Sequence, residues 1–457
     1  MGSRRLIFIY SVYSQLVKIL LFTITCALSG IRSTKYGILV SMTLSEELQW
    51  RGFTNQTTFK DTSALDRESI SFYWGVDPSA NSMQIGNLAA AMMARAFMKH
   101  GHHAILLVGG ATGMIGDPDG KAQERDLLTL EQIKENKIAI TGQYNKVFNG
   151  MAYEVVDNYD WFKDVNYLEF LRAVGKHVPI RVMLGREFVQ SRLGEDGAGI
   201  SYAEFSYSLI QGYDFLHLYK DYGVTLQICG ADQWGNSIAG VDLIRRIAGA
   251  EAHVWSSPLV INKATGKKFG KTEDGAIWLD ESRTSVYKFY QFWINVDDEG
   301  VESYLKIYTE LSKGDIEEVM SSHDEARSNR LAQKTLGFEV AKIVHGEKRA
   351  QSVQKLSETL FGGQDYTLLT KDDFQELKSE LETITVIAGA DLAELLVGVG
   401  LASSKGDARR FLQSNAIHIN GSQLPLEKLT LDADDFIEGF AVIRRGKNAN
   451  ALVEIVG

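Results

Sequence analysis

Residues 71–110 read SFYWGVDPSANSMQIGNLAAAMMARAFMKHGHHAILLVGG, and the order of patterns within them decides the fold. SFYWGV is short and aromatic, and HAILLVGG is a continuous apolar run. Both predict strands, the second buried on both faces. Between them IGNLAAAMMARAFMKHG predicts a helix ending at Gly101. Strand, helix, strand in that order requires a parallel crossover, and so an α/β, Rossmann-like doubly wound sheet. Such sheets gather ligands at the carboxyl ends of their strands, where GVDPSANS (75–82) and GGATGMIGDPDGK (109–121) lie.

Outward from this unit, EQIKENKIAITGQYNKVF (131–148) predicts a helix, YDWF (159–162) ends a loop, and GVTLQIC (223–229) predicts another strand. The catalytic domain is expected over 42–284. VYKFYQFWINV, VESYLKIYTEL and ARSNRLAQKTLGFEVAKIVHG then predict a helical domain over 285–360. Residues 361–388 are polar and weakly patterned and read as a linker with short elements. The remainder, 389–457, predicts a small α+β domain: two short helices, then strands turning at Asn420-Gly421.

The 457 residues are 45% apolar and 23% charged, an ordinary globular composition for two or three domains. A formal charge of −10 argues against a general nucleic-acid coat, but a basic face on one domain is compatible with it. Cys26 and Cys229 offer neither a disulfide framework nor a zinc pair, and a reducing compartment fits them best. The first forty residues differ from the rest. Arg4 and Arg5 precede an apolar run interrupted by Gln15 and Lys18. It reads either as a targeting or anchoring segment, or as an extension outside the fold with the true start at Met42. The second reading is preferred, with no stable membrane association and a cytoplasmic location.

Singly, the remaining motifs leave alternatives open. GGATGMIGDPDGK matches neither a dinucleotide fingerprint nor a Walker loop, because Lys121 precedes Ala122. It is a turn cluster or a binding loop, in which Thr112 and Asp117 are suited to hold a ligand's ammonium. KATGKKFGKTEDGAIWLD crowds Lys267, Lys268 and Lys271 around Gly270. It is a solvated surface loop or a cationic lid over a polyphosphate. SYAEFSYSLIQGYDF places Tyr207, Gln211 and Asp214 on one helix face, where a Gln and an Asp favour a polar pocket over plain core. QICGADQWGN adds Gln227, Asp232 and Gln233 after a strand.

Together, YWGVDPSANSMQIGNL, LLVGGATGMIGDPDGKAQER, EFSYSLIQGYDF, LQICGADQWGN, KKFGKTE and AVIRRGK, in this order from Met42 to Gly457, resemble the bacterial-type tyrosyl-tRNA synthetases of class I. The family's His-Ile-Gly-His signature stands here as Gln84-Ile85-Gly86-Asn87, and its lysine signature as Lys268-Phe269-Gly270-Lys271-Thr272. The resemblance implies an ATP-dependent tyrosine–tRNA ligase using Mg²⁺, with L-tyrosine, ATP and tRNA(Tyr) as partners and a homodimeric state.

It further implies that Tyr73 and Asp214 hold the phenol oxygen, with Asp117, Tyr207 and Gln211 around the ammonium and Thr112 and Gln233 nearby. A pocket that hydrogen-bonds the phenol is left unpaired by phenylalanine, a rejection for which tyrosyl-tRNA synthetases are themselves the established example. Gly75, Asp77, Gln227 and Asp232 are implied on the adenosine and carboxylate side. Ser79, Gln84, Gly86 and Asn87 are implied at ATP, with amides donating where the family has histidines. Lys268, Lys271 and Thr272 would stabilise the transferring phosphate, with Lys121 and Arg125 near pyrophosphate. The last domain resembles a small RNA-binding fold, and Lys405, Arg409, Arg410, Arg444, Arg445 and Lys447 would meet tRNA phosphates. A synthetase-derived RNA-binding protein without aminoacylation activity is the alternative, since neither Gln84 nor Asn87 can become a cation.

Overall fold

The computed structural model describes residues 42–456 apart from 119–125, 195–196, 264, 267–268, 273–274, 364 and 447–448, together with the pairs 33–34 and 37–38. The expectations for the amino-terminal extension therefore fall almost wholly outside the described residues. Six strands form the main sheet: β1 (Gln56–Thr57), β2 (Ser71–Val76), β3 (His103–Val108), β4 (Tyr153–Asp157), β5 (Leu226–Gly230) and β6 (His253–Ser257). Their order is β1-β6-β5-β2-β3-β4, parallel throughout except for β1 against β6.

Period-two alternation explains how the apolar strands serve two faces. Phe72, Trp74, Leu106 and Val108 join one core with helix α1 (Leu44–Arg51), helix α2 (Ile85–Lys99) and helix α4 (Leu130–Val147). Tyr73, Ile105 and Leu107 join a second core beneath α5 (Tyr202–Tyr222). Between α2 and α4 lies the single turn α3 (Thr112–Ile115), and after β5 comes α6 (Trp234–Leu243). From β2 the chain steps outward through β3 and β4, then crosses back to β5 and β6. The order therefore reverses between β2 and β5, which makes a ligand crevice at their carboxyl ends.

Three of these strands, β1, β4 and β6, were not read from the sequence. β4 lies at the sheet edge with Glu154 and Val155 exposed, so it lacks a continuous apolar run. In β6 the Ser256 hydroxyl donates to the Gln56 carbonyl, hiding polarity inside the pairing with β1. YDWF, read as a loop end, forms a helical turn over Tyr159–Phe162.

The helical domain comprises α7 (Val286–Ile294), α8 (Val301–Tyr308), α9 (Lys313–Glu325), α10 (Leu331–His345) and α11 (Glu347–Gly362). Helix α8 packs on α2 as well as on α10, and Phe289, Trp293 and Tyr304 share the first core with the sheet. Segment 361–388, expected as a linker with short elements, carries α12 (Lys371–Lys378) and β7 (Thr383–Val386). β7 is an edge strand of the last sheet, whose other strands are β8 (Ile417–Ile419), β9 (Ser422–Gln423), β10 (Phe440–Arg445) and β11 (Ala449–Ile455), in the order β7-β11-β10-β8-β9. Phe374 of α12 stacks on Phe440 at 5.3 Å, which ties this sheet to the helical domain. Helices α13 (Leu392–Gly398) and α14 (Lys405–Gln413) cover its other face. The β8–β9 turn places Asn420 and Gly421 at φ 45° and 79°, the positive pair that a two-residue hairpin requires.

Candidate active site

A cavity of about 620 Å³ opens at the switch between β2 and β5. Gly75 is exposed there at the end of an otherwise buried strand, so backbone rather than side chain forms the floor. Tyr73, Asp77, Thr112, Asp117, Tyr207, Gln211, Asp214 and Gln233 all line it, and so do Ser79, Gln84, Gly86, Asn87, Gln227 and Asp232.

At one end the polar groups are bonded to one another before any ligand arrives. Asp214, 2% exposed, accepts from the Asn158 amide at 3.1 Å and from the Trp161 indole at 2.9 Å. Burial pushes its carboxyl up to about 8; the two donors oppose that shift, and Asp77 and Asp157 add to it. Asn158, wholly buried, also donates to the Thr112 hydroxyl, which in turn donates to Asp77 at 2.6 Å. The Tyr207 hydroxyl gives Asp77 a second 2.6 Å bond. Asp77, expected on the adenosine side, thus bonds two residues expected at the amino acid. The Gln233 amide donates to Asp117.

Among the described residues two buried polar atoms in this cavity have no partner: the Tyr73 hydroxyl and the Gln227 amide oxygen. Burial, and next the Asp214 charge, drive the Tyr73 phenol well above its ordinary pKa. A buried hydroxyl without a partner is costly, so its presence beside a buried carboxylate marks a place for a polar ligand atom.

Glycines make this packing feasible. A Cβ on Gly109 would stand 2.2 Å from both Asp77 Oδ1 and Thr112 Oγ1, and one on Gly110 would stand 2.2 Å from Asp157 Oδ1. The Gly110 amide donates to that Asp157 oxygen at 3.1 Å, and the Ala111 amide donates to Asn158. The GGAT turn therefore brings side chains against bare backbone.

The other end is organised by backbone. The Asn87 side-chain oxygen accepts the Gln84 backbone N–H at 2.9 Å, which commits that oxygen and leaves the Asn87 NH2 as the group able to donate to a ligand. Ile85 N–H donates to the Ile277 carbonyl, and Ile277 N–H donates to the Gly270 carbonyl. Gly270 sits at φ 87°, a conformation that favours glycine. The lysine-bearing turn is thereby laced to the start of α2. Lys121, Arg125, Lys267 and Lys268 lie outside the described residues, and for Lys271 and Thr272 only the backbone is described.

Sequence reading did not find Asn158 or Trp161. The available signal was their position just after an unread strand, at the carboxyl edge where such sheets collect functional groups.

Comparison with known proteins gives the family. The family model described as tRNA synthetases class I (W and Y) matches residues 65–362. The chain belongs to this synthetase family. A second model, described as the tyrosine–tRNA ligase SYY-like C-terminal domain, matches residues 373–453. The tyrosine–tRNA ligase of Geobacillus kaustophilus (strain HTA426) is 46% identical over 420 residues, 90% of this chain and 99% of that protein. The tyrosine–tRNA ligase of Latilactobacillus sakei (strain 23K) is 42% identical over 417 residues, 90% of this chain and 98% of that one. Among solved structures, a C-terminally truncated Aspergillus nidulans mitochondrial tyrosyl-tRNA synthetase superposes with a TM-score of 0.64 at 30% identity, covering 70% of this chain and 95% of that chain.

In the synthetase's last domain the expected RNA-binding cations differ in their commitments. Lys405 pairs with Glu394 and Arg410 with Asp407, both at 2.5 Å. Arg445 donates to the Leu401 carbonyl, whereas Arg409 is exposed and makes no ion pair among the described residues. The Arg444 Nε is buried without a partner among the described residues. Lys447 lies outside the described residues. No helix among the described residues is long and apolar enough to cross a membrane.

Proposed function

We infer that the chain is a tyrosine–tRNA ligase, which activates tyrosine with ATP and transfers it to the 3′ end of tRNA(Tyr). The observation that carries the site assignment is the unpartnered, buried Tyr73 hydroxyl in the cavity of a buried carboxylate, Asp214, itself fixed by two donors. A phenol entering there meets both a hydroxyl and a carboxyl, and its ring lies against the end of β2. The tyrosine ammonium is assigned to the Asp77, Asp117, Tyr207 and Gln211 side, where negative charge is densest. Thr112 and Gln233 orient those carboxylates through the bonds described above.

In the first step the tyrosine carboxylate oxygen attacks the α-phosphorus of ATP, and pyrophosphate leaves with the electrons of the broken P–O bond. In the second, a terminal ribose hydroxyl of tRNA attacks the carbonyl carbon; AMP departs and the hydroxyl proton is lost to solvent. Neither step needs a protein nucleophile. Positioning and charge stabilisation do the chemistry, with Lys268 and Lys271 assigned to the phosphates and Lys121 and Arg125 to pyrophosphate. Gly75, Gly86, Asn87 and Asp232 are assigned to the nucleoside, and Ser79, Gln84 and Thr272 to the polyphosphate. Mg²⁺ is expected to arrive with ATP. Among the described residues no three His, Cys, Asp or Glu side chains are grouped to hold a metal ion, so the phosphates are expected to supply most of its ligands.

The protein is expected to work as a cytoplasmic homodimer, with Arg409 and its neighbours on the last domain meeting tRNA phosphates. Tyrosine-dependent ATP–pyrophosphate exchange, followed by charging of tRNA(Tyr), tests the assignment. Absence of exchange would remove it.

A further inference from the structure

Phe269 lies between the two lysines of the turn, yet it behaves as a core residue, 6% exposed. Its ring stacks on Tyr304 with centroids 4.3 Å apart and planes 27° apart, and it meets the edge of Phe292 at 5.2 Å. Trp293 at 5.7 Å and Tyr308 at 5.9 Å complete a socket contributed by α7 and α8 of the helical domain. The same residue lines the cavity. Helix α8, which supplies Tyr304 and Tyr308, also packs on α2, the helix that opens with Gln84 to Asn87. The Phe269 N–H donates to the Val260 carbonyl at 2.9 Å, and the next residue, Gly270, is laced through Ile277 to Ile85.

We propose that Phe269 is a positioning residue for tyrosine activation: seated in the Tyr304–Phe292 socket, it lets the helical domain fix the turn at Phe269 and Gly270, which leads into Lys271, against the start of α2. The proposal rests on the ligase assignment above. Its physical basis is that one stacked ring fixes a chain whose other restraints are a few backbone bonds near a glycine at positive φ. The lysines act on charge that develops during transfer, so their placement is felt in the rate of activation, and displacement of about 1 Å is worth up to about 100-fold. The tyrosine pocket, held by side-chain bonds among Asp77, Thr112, Asn158 and Asp214, does not depend on the socket.

The test is pyrophosphate-exchange kinetics on the full chain, with tyrosine affinity read separately by equilibrium binding. In Phe269→Ala, kcat for exchange is expected to fall by about 10- to 100-fold while tyrosine Kd changes less than about twofold. Phe269→Met, which refills the socket, is expected to recover most of the loss. Tyr304→Leu, altered only on the helical-domain side, is expected to reproduce the same split, with thermal unfolding confirming that each variant is folded. Unchanged exchange in Phe269→Ala, or in a folded Tyr304→Leu if Phe269→Ala does not fold, would overturn the proposal. So would a loss shared equally by tyrosine binding and exchange. No exchange in the unaltered protein would instead remove the ligase assignment, a separate failure.

Discussion

The two ends of the cavity are built by different means. At the end proposed for the amino acid, side chains hold side chains: Asp214, Asn158, Thr112, Asp77 and Tyr207 form one continuous hydrogen-bonded path. At the end proposed for the nucleotide, main chain holds main chain, through Gly270, Ile277 and Ile85. Discriminating tyrosine from phenylalanine depends on one oxygen atom, so it needs buried polar groups fixed in advance. Binding a polyphosphate needs donors and positive charge that adapt as charge moves, which a helix start and a lysine turn supply.

The sharpest way to break this contrast is to remove the carboxylate. Asp214→Ala is expected to lower kcat/KM for tyrosine by about 100- to 1000-fold, about 3–4 kcal/mol, while KM for ATP changes little. Equal losses for both substrates would mean that the ends are not separate. Next in size is Gly109→Ala, whose new methyl must displace Asp77 or Thr112. A stability loss of about 1–3 kcal/mol and a comparable loss of tyrosine affinity are expected, measured by denaturant melts and binding.

The pH dependence sharpens the same point. Burial raises the Asp214 carboxyl from 3.8 to about 8. The folded chain thus keeps a proton that the unfolded chain releases near pH 4, so this group's contribution to stability falls as pH rises from about 4 to 8 and levels above that. Denaturation across that window should show the slope, and Asp214→Asn should flatten it.

At the other end Asn87→Ala removes the acceptor of the Gln84 N–H. A stability cost of about 0.5–2 kcal/mol is expected, with ATP KM raised and tyrosine Kd unmoved. The smallest effect is expected outside the cleft. Arg409→Gln should weaken tRNA binding a few-fold and reduce the salt dependence by about one counterion, without touching pyrophosphate exchange.

Much of this was legible in the residues. The strand–helix–strand pattern of 71–110 carried the sheet type, and the spacing of Tyr207, Gln211 and Asp214 carried three cavity residues on α5, because helical periodicity is local. β1, β4 and β6 were not legible. An edge strand needs no continuous apolar run, and serines paired inside a sheet look like turn residues. Asn158 and Trp161 stayed hidden with β4, since what distinguishes them is the carboxylate they bond, 56 and 53 residues away in sequence. Nor could composition reveal that segment 361–388 supplies an edge strand to the last sheet. Its partner β11 comes some seventy residues later and makes that pairing in parallel.

The chain by itself determined which chemistry is on hand: the sheet's hand and order of turns, the glycines, the carboxylates and the lysines, all set by patterns a few residues long. Only the folded arrangement decided what each group does. Crossing back from β4 to β5 set Tyr73 beside Asp214 and seated Phe269 among the rings of the helical domain. The physical reason is that hydrogen bonding and burial depend on distance in space, which local periodicity does not encode.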